Sequence, residues 1–536
     1  MKSKTYDAVN KAWKSTCKVL FGTEVGELED FEKWLNSHMP TPQLETSSFS
    51  GKSVALPCSD YGRHDYAKGA HFTSFDEIKF GTKFKPLNIN EVKDIDMIIA
   101  ALGERLAYCG NIVLGNSAYV EKSADVINSS FVLSSSLVGD SRYISHSIWV
   151  YESQYCFGNF GAWKNMHSIM LSGGEYVRCF ECHSGEVNSD CYYCGSPKNC
   201  SNCMFSFGIQ NKRNMIGNLE LPKEKYAQIK ASLTSHMADT LRKEKRIFSL
   251  FDILDGCRKY PHEKLQMPQE EKQKPFDITP IEKSFGATTG ILLGKPLCGI
   301  DSYSRFLQRH VPSNKHIASP FSGQKVVLAG YRAFLSSLYN LEGRMVTESE
   351  VRQIGKLPSK MEKISKMQAT MGSVCETLHE IAYSDLDKQY GNNTNNFDCS
   401  VVVNAHDCYK GSAYSHCKKC AYSFWPFGCE QVFGSYNSWN CQFCINCYNS
   451  KKLSRCFETD CSYECSDGYF LHNCENVRDS MFCFNTKNLH NAIGNAQLEK
   501  GKYSGIKDAL VSQMHAELEK KKGLKWDIYN IGAGKA

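Results

Sequence analysis

Aliphatic and small residues recur in this chain at every third position, and few folds accept that spacing. From Val126 the series runs Val126, Ser129, Val132, Ser135, Val138, Ser141, Ile144, Ser147, Val150, Ser153 and Cys156. Aliphatic residues and serine alternate, so the full unit is six residues: VINSSF, VLSSSL, VGDSRY, ISHSIW, VYESQY. The sixth place is always aromatic or leucine. An α-helix requires a period of 3.6 and a flat strand a period of 2. Three and six fit a β-solenoid, in which each short strand places one residue inward before the chain turns a corner. Polyproline-type helices also repeat every three residues, but these stretches hold almost no proline and no regular glycine, which ranks that reading second. On the hexapeptide pattern, the stretches 123–209 and 399–486 each supply about five coils of roughly 18 residues.

The same pattern is written twice. Arg178-Cys179-Phe180-Glu181 returns as Arg455-Cys456-Phe457-Glu458, an offset of 277, and Ile216-Gly217-Asn218 returns as Ile493-Gly494-Asn495. Between 178–245 and 455–522 there are 28 identities in 68 ungapped positions, where average composition gives roughly four. Upstream the offset is 276 (Trp149 with Trp425, Ser147 with Ser423), and near the start 272 (Leu35, His38 and Pro40 with Leu307, His310 and Pro312; Phe49-Ser50-Gly51 with Phe321-Ser322-Gly323). In the second copy, 12 of the 13 cysteines from Cys399 to Cys483 keep one three-residue register, Cys461 being the exception. In the first copy Cys179, Cys182, Cys191, Cys194, Cys200 and Cys203 share a register displaced from Cys156 by one slip, the residue by which two of the offsets differ.

The hexads 126–149 resemble the hexapeptide-repeat β-helix proteins. The likeness covers about 35 residues well and departs from the family in placing serine at the fourth position. The cysteine-laddered parts are also similar to uncharacterised Cys-rich repeat proteins of phages and uncultivated bacteria. Hexapeptide solenoids include acyltransferases and carbonic anhydrase-like enzymes in which histidines from adjacent coils meet. On that resemblance His146, His167 and His183, spaced near one coil, are the residues to test for an open zinc site; the second copy holds Tyr422, Phe443 and Asp460 in their places.

The fold class expected is mixed α+β, a tandem duplication of a module that contains a short β-solenoid capped by helices. The expected segments are an α-containing stretch at 1–121, a solenoid at 122–219 and a helical cap at 220–257. A charged, proline-bearing linker follows at 258–280. The second copy repeats the series at 281–398, 399–497 and 498–536. Cap helices are expected at 222–245 and 499–522, the first with Ile229, Leu233, Met237 and Leu241 as its apolar stripe, and helical stretches at 89–108 and 347–383. A terminal helix covers a coil edge that would otherwise invite pairing.

Among chemistry-bearing residues, Cys179-x2-Cys182-x8-Cys191-x2-Cys194, followed by Cys200 and Cys203, has the paired spacing of a tetrahedral zinc site, and Cys441-x2-Cys444-x2-Cys447 has an iron–sulfur-like spacing. The duplication argues for packing instead. Cys182, Cys191, Cys194, Cys200 and Cys203 correspond to Thr459, Gly468, Leu471, Val477 and Ser480, and Cys408, Cys420 and Cys447 to Val132, Ile144 and Leu171. Slots that accept all of these are slots for small buried groups, where cysteine packs as a hydrophobe. No catalytic residue, metal ligand or cofactor is therefore assigned.

The remaining features point to a surface. No apolar run reaches the roughly 18 residues of a membrane span, and the N-terminus lacks a signal-peptide core, so maturation in a reducing cytoplasm and thiols rather than disulfides are expected for the 26 cysteines. Net charge is a mild +6; the basic tail residues Arg242, Lys243, Lys245 and Arg246, and Lys520, Lys521, Lys522 and Lys525, are interleaved with glutamates and read as solvated helix faces rather than a nucleic-acid footprint. Phe131, Tyr143, Trp149 and Tyr155 recur at one hexad position and are expected to form a column, either core or an apolar docking stripe. The functional expectation is a non-catalytic structural or assembly protein, docking onto other protein subunits or onto itself, in a virion capsid or tail. Its rivals are a zinc-stabilised protein- or nucleic-acid-binding module and a hexapeptide-type enzyme.

Overall fold

The architecture follows from where the backbone bends. The computed structural model describes residues 2–39, 42–56, 66–88, 92–260, 275–330, 341 and 343–533. Through the repeated stretches a left-handed residue recurs with the three-residue period. Between 126 and 156 these are Asn128, Phe131, Ser134, Leu137, Asp140, Tyr143, His146, Trp149, Glu152 and Tyr155, with φ between 48° and 58°. Each stands directly before a core position, as Phe131 before Val132 and Ser134 before Ser135. A non-glycine residue in this region costs roughly 1–2 kcal/mol, so the series persists only where stacked neighbours over-determine it. The second stretch meets that cost partly with residues that tolerate the conformation, including Asp398, Asn404, Asp407, Asn437, Asn440, Asn446, Asn449, Asn473 and Asn476.

Between bends, short strands pair in parallel with the strand twelve residues on. Val132 lies opposite Ile144 and Ile144 opposite Cys156; Val126 lies opposite Val138, Val138 opposite Val150, and Val150 opposite Ala162. One turn of chain therefore takes twelve residues, which corrects the expected 18. A bend at every third residue returns the path after four triplets and leaves no room for longer straight sides. The first copy's fifteen-stranded sheet runs out along alternate strands and back along the others, through Ser172–Phe180, which pairs with both Phe160–Trp163 and Met166–Ile169. The cysteine slip is located here: the register shifts at Ser172/Gly173, and Ser168 pairs with Cys179, only eleven residues on.

Aliphatic columns fill the strands' inner side, and serines close the corners. Val126, Val132, Val138, Ile144, Val150, Cys156 and Ala162 form one buried cluster. At the corner, Ser141 Oγ donates to Gly139 O at 2.7 Å and accepts the Ser153 N–H at 3.0 Å. The same pair of bonds is made by Ser129 and Ser153. Each hydroxyl thus satisfies a buried amide of the next turn, one that sheet pairing leaves open. The second copy does likewise, Ser423, Ser435, Ser450 and Ser462 each accepting an amide from twelve residues on.

Two compact units result. One comprises Met1–Gln43, Ile112–Glu271 and His316–Asp387; the other comprises Leu44–Asn111, Lys272–Lys315 and Lys388–Ala536. In the first unit the helix Lys4–Phe21, capped by the Ser3 hydroxyl on Tyr6 N, buries Val9, Trp13, Cys17 and Leu20, and Trp13 meets Phe157 edge-on at 5.3 Å. Its helix Lys223–Glu244 buries Tyr226, Leu233, Met237 and Leu241, with Ile229 half-buried, and stops at left-handed Lys245. In the second unit the helices Thr279–Leu293 and Lys500–Lys521 stand at the corresponding places, the latter ending at left-handed Lys522. Shorter helices occupy the expected stretches, Ile95–Leu102 within 89–108 and Glu348–Ile354, Met361–Lys366 and Met371–Leu378 within 347–383. Residues 261–274 of the expected linker lie outside the described residues. Among the described residues no helix is long and apolar enough to cross a membrane.

If the corner serines carry backbone satisfaction, Ser141→Ala strands the Ser153 amide and lowers unfolding free energy by about 1–3 kcal/mol. Urea denaturation of wild type and variant measures this; an unchanged midpoint would show the hydroxyl to be dispensable.

Candidate functional site

The cysteines stand in aliphatic and serine slots alike, and their thiols bond main-chain groups as the serine hydroxyls do. Cys179, Cys191 and Cys203 thiols donate to the carbonyls two residues back, at 3.4, 3.2 and 3.4 Å, and Cys179 Sγ accepts the Cys191 amide at 3.4 Å. Cys429 and Cys441 repeat that last contact in the other unit. The cysteines with the zinc-like spacing are all buried. Burial pushes the Cys156 and Cys483 thiols up to about 12 and those of Cys194 and Cys474 well above the ordinary range, whereas hydrogen bonds from the Cys182 and Cys191 thiols lower Cys179 against its burial. Cys179, Cys182, Cys191, Cys194, Cys200 and Cys203 all carry free thiols. Among the described residues, no group of three or more His, Cys, Asp or Glu side chains is arranged to hold a metal ion.

The three histidines singled out for the zinc reading are tied to different partners. His146 Nδ1 shares a hydrogen bond with Ser145 Oγ at 2.7 Å, and its Nε2 lies 3.5 Å from Glu32. His167 contacts Thr16 Oγ1 through Nδ1 at 3.1 Å. His183 stacks on Phe251 at 4.7 Å with its Nε2 3.4 Å from Glu181.

The aromatic column divides between two sides. Tyr119, Phe131, Tyr143, Tyr155 and His167 stack face to face at centroid spacings of 4.7, 5.0, 4.9 and 4.5 Å. Tyr119 is 50% exposed and the others half-buried. Trp149 belongs to the opposite side, because its partners lie twelve rather than six residues away. It is buried and tilted against Phe160 at 5.9 Å, whereas its counterpart Trp425 is half-buried.

The basic tail residues are mostly engaged. Arg242 bonds Glu24 O and Thr23, Lys245 pairs with Asp30, Lys521 with Glu517, and Lys525 with Asp96; Arg246 and Lys520 are exposed. In the second unit Arg305, Arg309, Lys521, Lys522 and Lys525 line a groove of about 760 Å³ with Glu517.

The most perturbed groups are ones the spacing arguments passed over. Glu181 is fully buried; its Oε2 accepts the Leu250 amide at 2.9 Å, and burial raises its carboxyl to about 8. Burial lowers the neighbouring His183 to about 3 and also lowers His38, whose ring meets Phe251 in an edge-on contact at 4.9 Å. In the other unit Glu458 takes the same post. Its Oε2 accepts the Ile528 amide at 2.9 Å, Asn446 donates to Oε1 at 2.8 Å, and burial raises it to about 7. Beside it the Cys109 amide donates to His472 Nε2 at 2.8 Å, so the His472 proton sits on Nδ1 and is donated to Asp460 at 2.9 Å. Asp460 also accepts from Tyr529 OH at 3.2 Å. Asp527 is held below the carboxylate range, against burial, by His310 and Arg309. The signal for this pair was in the sequence: Glu181 and Glu458 end the repeated Arg-Cys-Phe-Glu motif. Both glutamates fasten the segment that follows a cap helix to the wound strands.

Comparison with known proteins adds no relative: no family model, no curated protein and no solved structure matches the chain.

The Glu181 carboxyl is protonated in the folded chain up to about pH 8 but only to about 4.5 when unfolded. The folded state therefore binds the extra proton, and its contribution to stability is full below pH 4.5 and lost as pH rises through 8. Glu181→Gln, neutral throughout, removes that loss. Denaturation series from pH 5 to 8.5 are expected to show a steeper decline in wild type, by at most about 1.4 kcal/mol per pH unit. Parallel curves would place an ionised carboxylate at Glu181.

Proposed function

We propose that the protein is a non-catalytic structural component, two β-solenoid modules in tandem that dock onto other protein subunits of a larger assembly such as a virion capsid or tail. The observation that carries this reading is the half-exposed stack of Tyr119, Phe131, Tyr143 and Tyr155. Its rings are set by the twelve-residue register and held by the strands beneath, so the stripe loses little side-chain freedom when it is covered. Support also comes from the groups that would do chemistry. The serine hydroxyls and the cysteine thiols of both windings bond main-chain groups, and the buried glutamates fasten chain segments. A duplicated module binds two equivalent sites with avidity.

The test is hydroxyl-radical footprinting of the protein in sedimentable particles from its native source against the free chain. Protection of Tyr119, Tyr143 and Tyr155 in the particle fraction is expected. Equal labelling in both states, or a chain that never sediments, would count against docking through this face. Salt-dependent binding of a DNA fragment through the Arg305–Lys525 groove, or stoichiometric zinc, would move the reading to a binding module.

A further inference from the structure

The units do not respect the copies. Residues 44–111 belong to the first copy but are built into the unit that holds the second winding, and 316–387 belong to the second copy but are built into the unit that holds the first. The two segments are equivalents. Phe49-Ser50-Gly51 corresponds to Phe321-Ser322-Gly323, and Gly51 and Gly323 turn with φ of 74° and 71°. The strands Ser53–Leu56 and Lys325–Leu328 share one burial pattern. Ser47 bonds Glu77, which closes a capping box with Ser74; Ser319 bonds Glu350, which closes one with Thr347.

Their attachments correspond as well. In one unit the Cys109 amide reaches His472, Asn485 donates to Ala107 O at 2.8 Å, and Tyr108 OH donates to Ile528 O at 2.8 Å. In the other, Asp385, the counterpart of Cys109, is bonded by Ser196, whose neighbour Gly195 is the counterpart of His472. Arg352 donates to Ser196 O at 2.8 Å, the Ser359 amide to Gly217 O at 3.0 Å, and the fully buried Arg344 reaches His379 O and Cys257 O. A buried guanidinium is retained only where carbonyls take its protons, so the second-copy segment is committed to the first-copy residue Cys257.

We propose that the two modules are joined by reciprocal exchange of these arms, each arm held in trans by the other module, so that the chain is an arm-swapped dimer written as one polypeptide. The partner each module's arm site fits is the arm of another copy of the module. Swapping identical elements is a low-cost route to a dimer, and a duplication joined through 258–280 makes it permanent. The inference is independent of the assembly reading, since it concerns which copy an arm completes and not what the finished protein docks onto.

The test cuts the full chain at a protease site inserted within 261–274, after its thermal midpoint has been shown to match wild type. The two fragments are expected to co-elute at the size of the intact chain and to part only in denaturant. A covalent reporter is present: the Cys257 and Cys375 thiols lie against each other, one in each fragment. Treatment with diamide, which takes the two thiol hydrogens as the disulfide forms, is expected to link the fragments through that peptide pair. Cys257→Ser should abolish the link and leave co-elution intact. The uncut wild type, oxidised alike, should give the same linked peptide, which keeps the result independent of the inserted site. Fragments that separate without denaturant, or that co-elute while neither sample yields the Cys257–Cys375 peptide, would overturn the exchange.

Discussion

Everything in this structure depends on a bend that proteins ordinarily avoid. A left-handed residue at every third position turns the chain after each core side chain, and four such bends complete a turn of twelve residues. One bend without glycine is a local expense; a long series of them is a commitment that only stacking can redeem. The redemption is the ladder: strand segments pair in parallel with the turns before and after them, and corner amides such as those of Ser153, Cys191 and Cys200 are met by a hydroxyl, a thiol or an Asn side chain of the turn before. Remove the stack and no single turn would hold its bends.

The narrow turn also dictates what its interior contains. Twelve residues leave four inward positions, and two of them face each other across the strands while two close corners. Strand positions want an aliphatic group, and corner positions want a small group that both accepts and donates. Serine does this at the corners of the first winding. Cysteine does it with longer bonds and fills more space, and so it serves at strand and corner alike. The many cysteines are then the result of a single slot chemistry repeated, and their CxxC spacings follow from the triplet rather than from a metal.

Much of this was legible in the residues. The three-residue period, the duplication, a one-residue slip between Cys156 and Cys179 and both cap helices are encoded locally, since each depends on which residues stand a few places apart. The turn length was not, because 12 and 18 are both multiples of six and the backbone conformation decides between them. A hint lay in the abundance of Asn and Asp one place before the core positions of the second copy, as at Asn404, Asp407, Asn437 and Asn440. The same error of period placed Trp149 in one column with Phe131, Tyr143 and Tyr155. The buried Glu181 and Glu458 were visible only as part of a repeated motif: nothing in a short acidic side chain announces that a distant amide, Leu250 or Ile528, will come to meet it.

What the two copies keep and what they change separates the scaffold from its surface. Arg178 pairs with Asp190 and Arg455 with Asp467 at matching places, and both glutamates keep their amides. These contacts hold the winding to itself and to its closing segment. The outward column varies freely. Its members at 119–155 are aromatic and stack in the first copy, whereas the places of Tyr119, Phe131 and Tyr143 at offset 276 hold Asn395, Asp407 and Lys419. The outer face accommodates this difference, stacked rings in one copy and polar groups in the other, on a ladder of the same period.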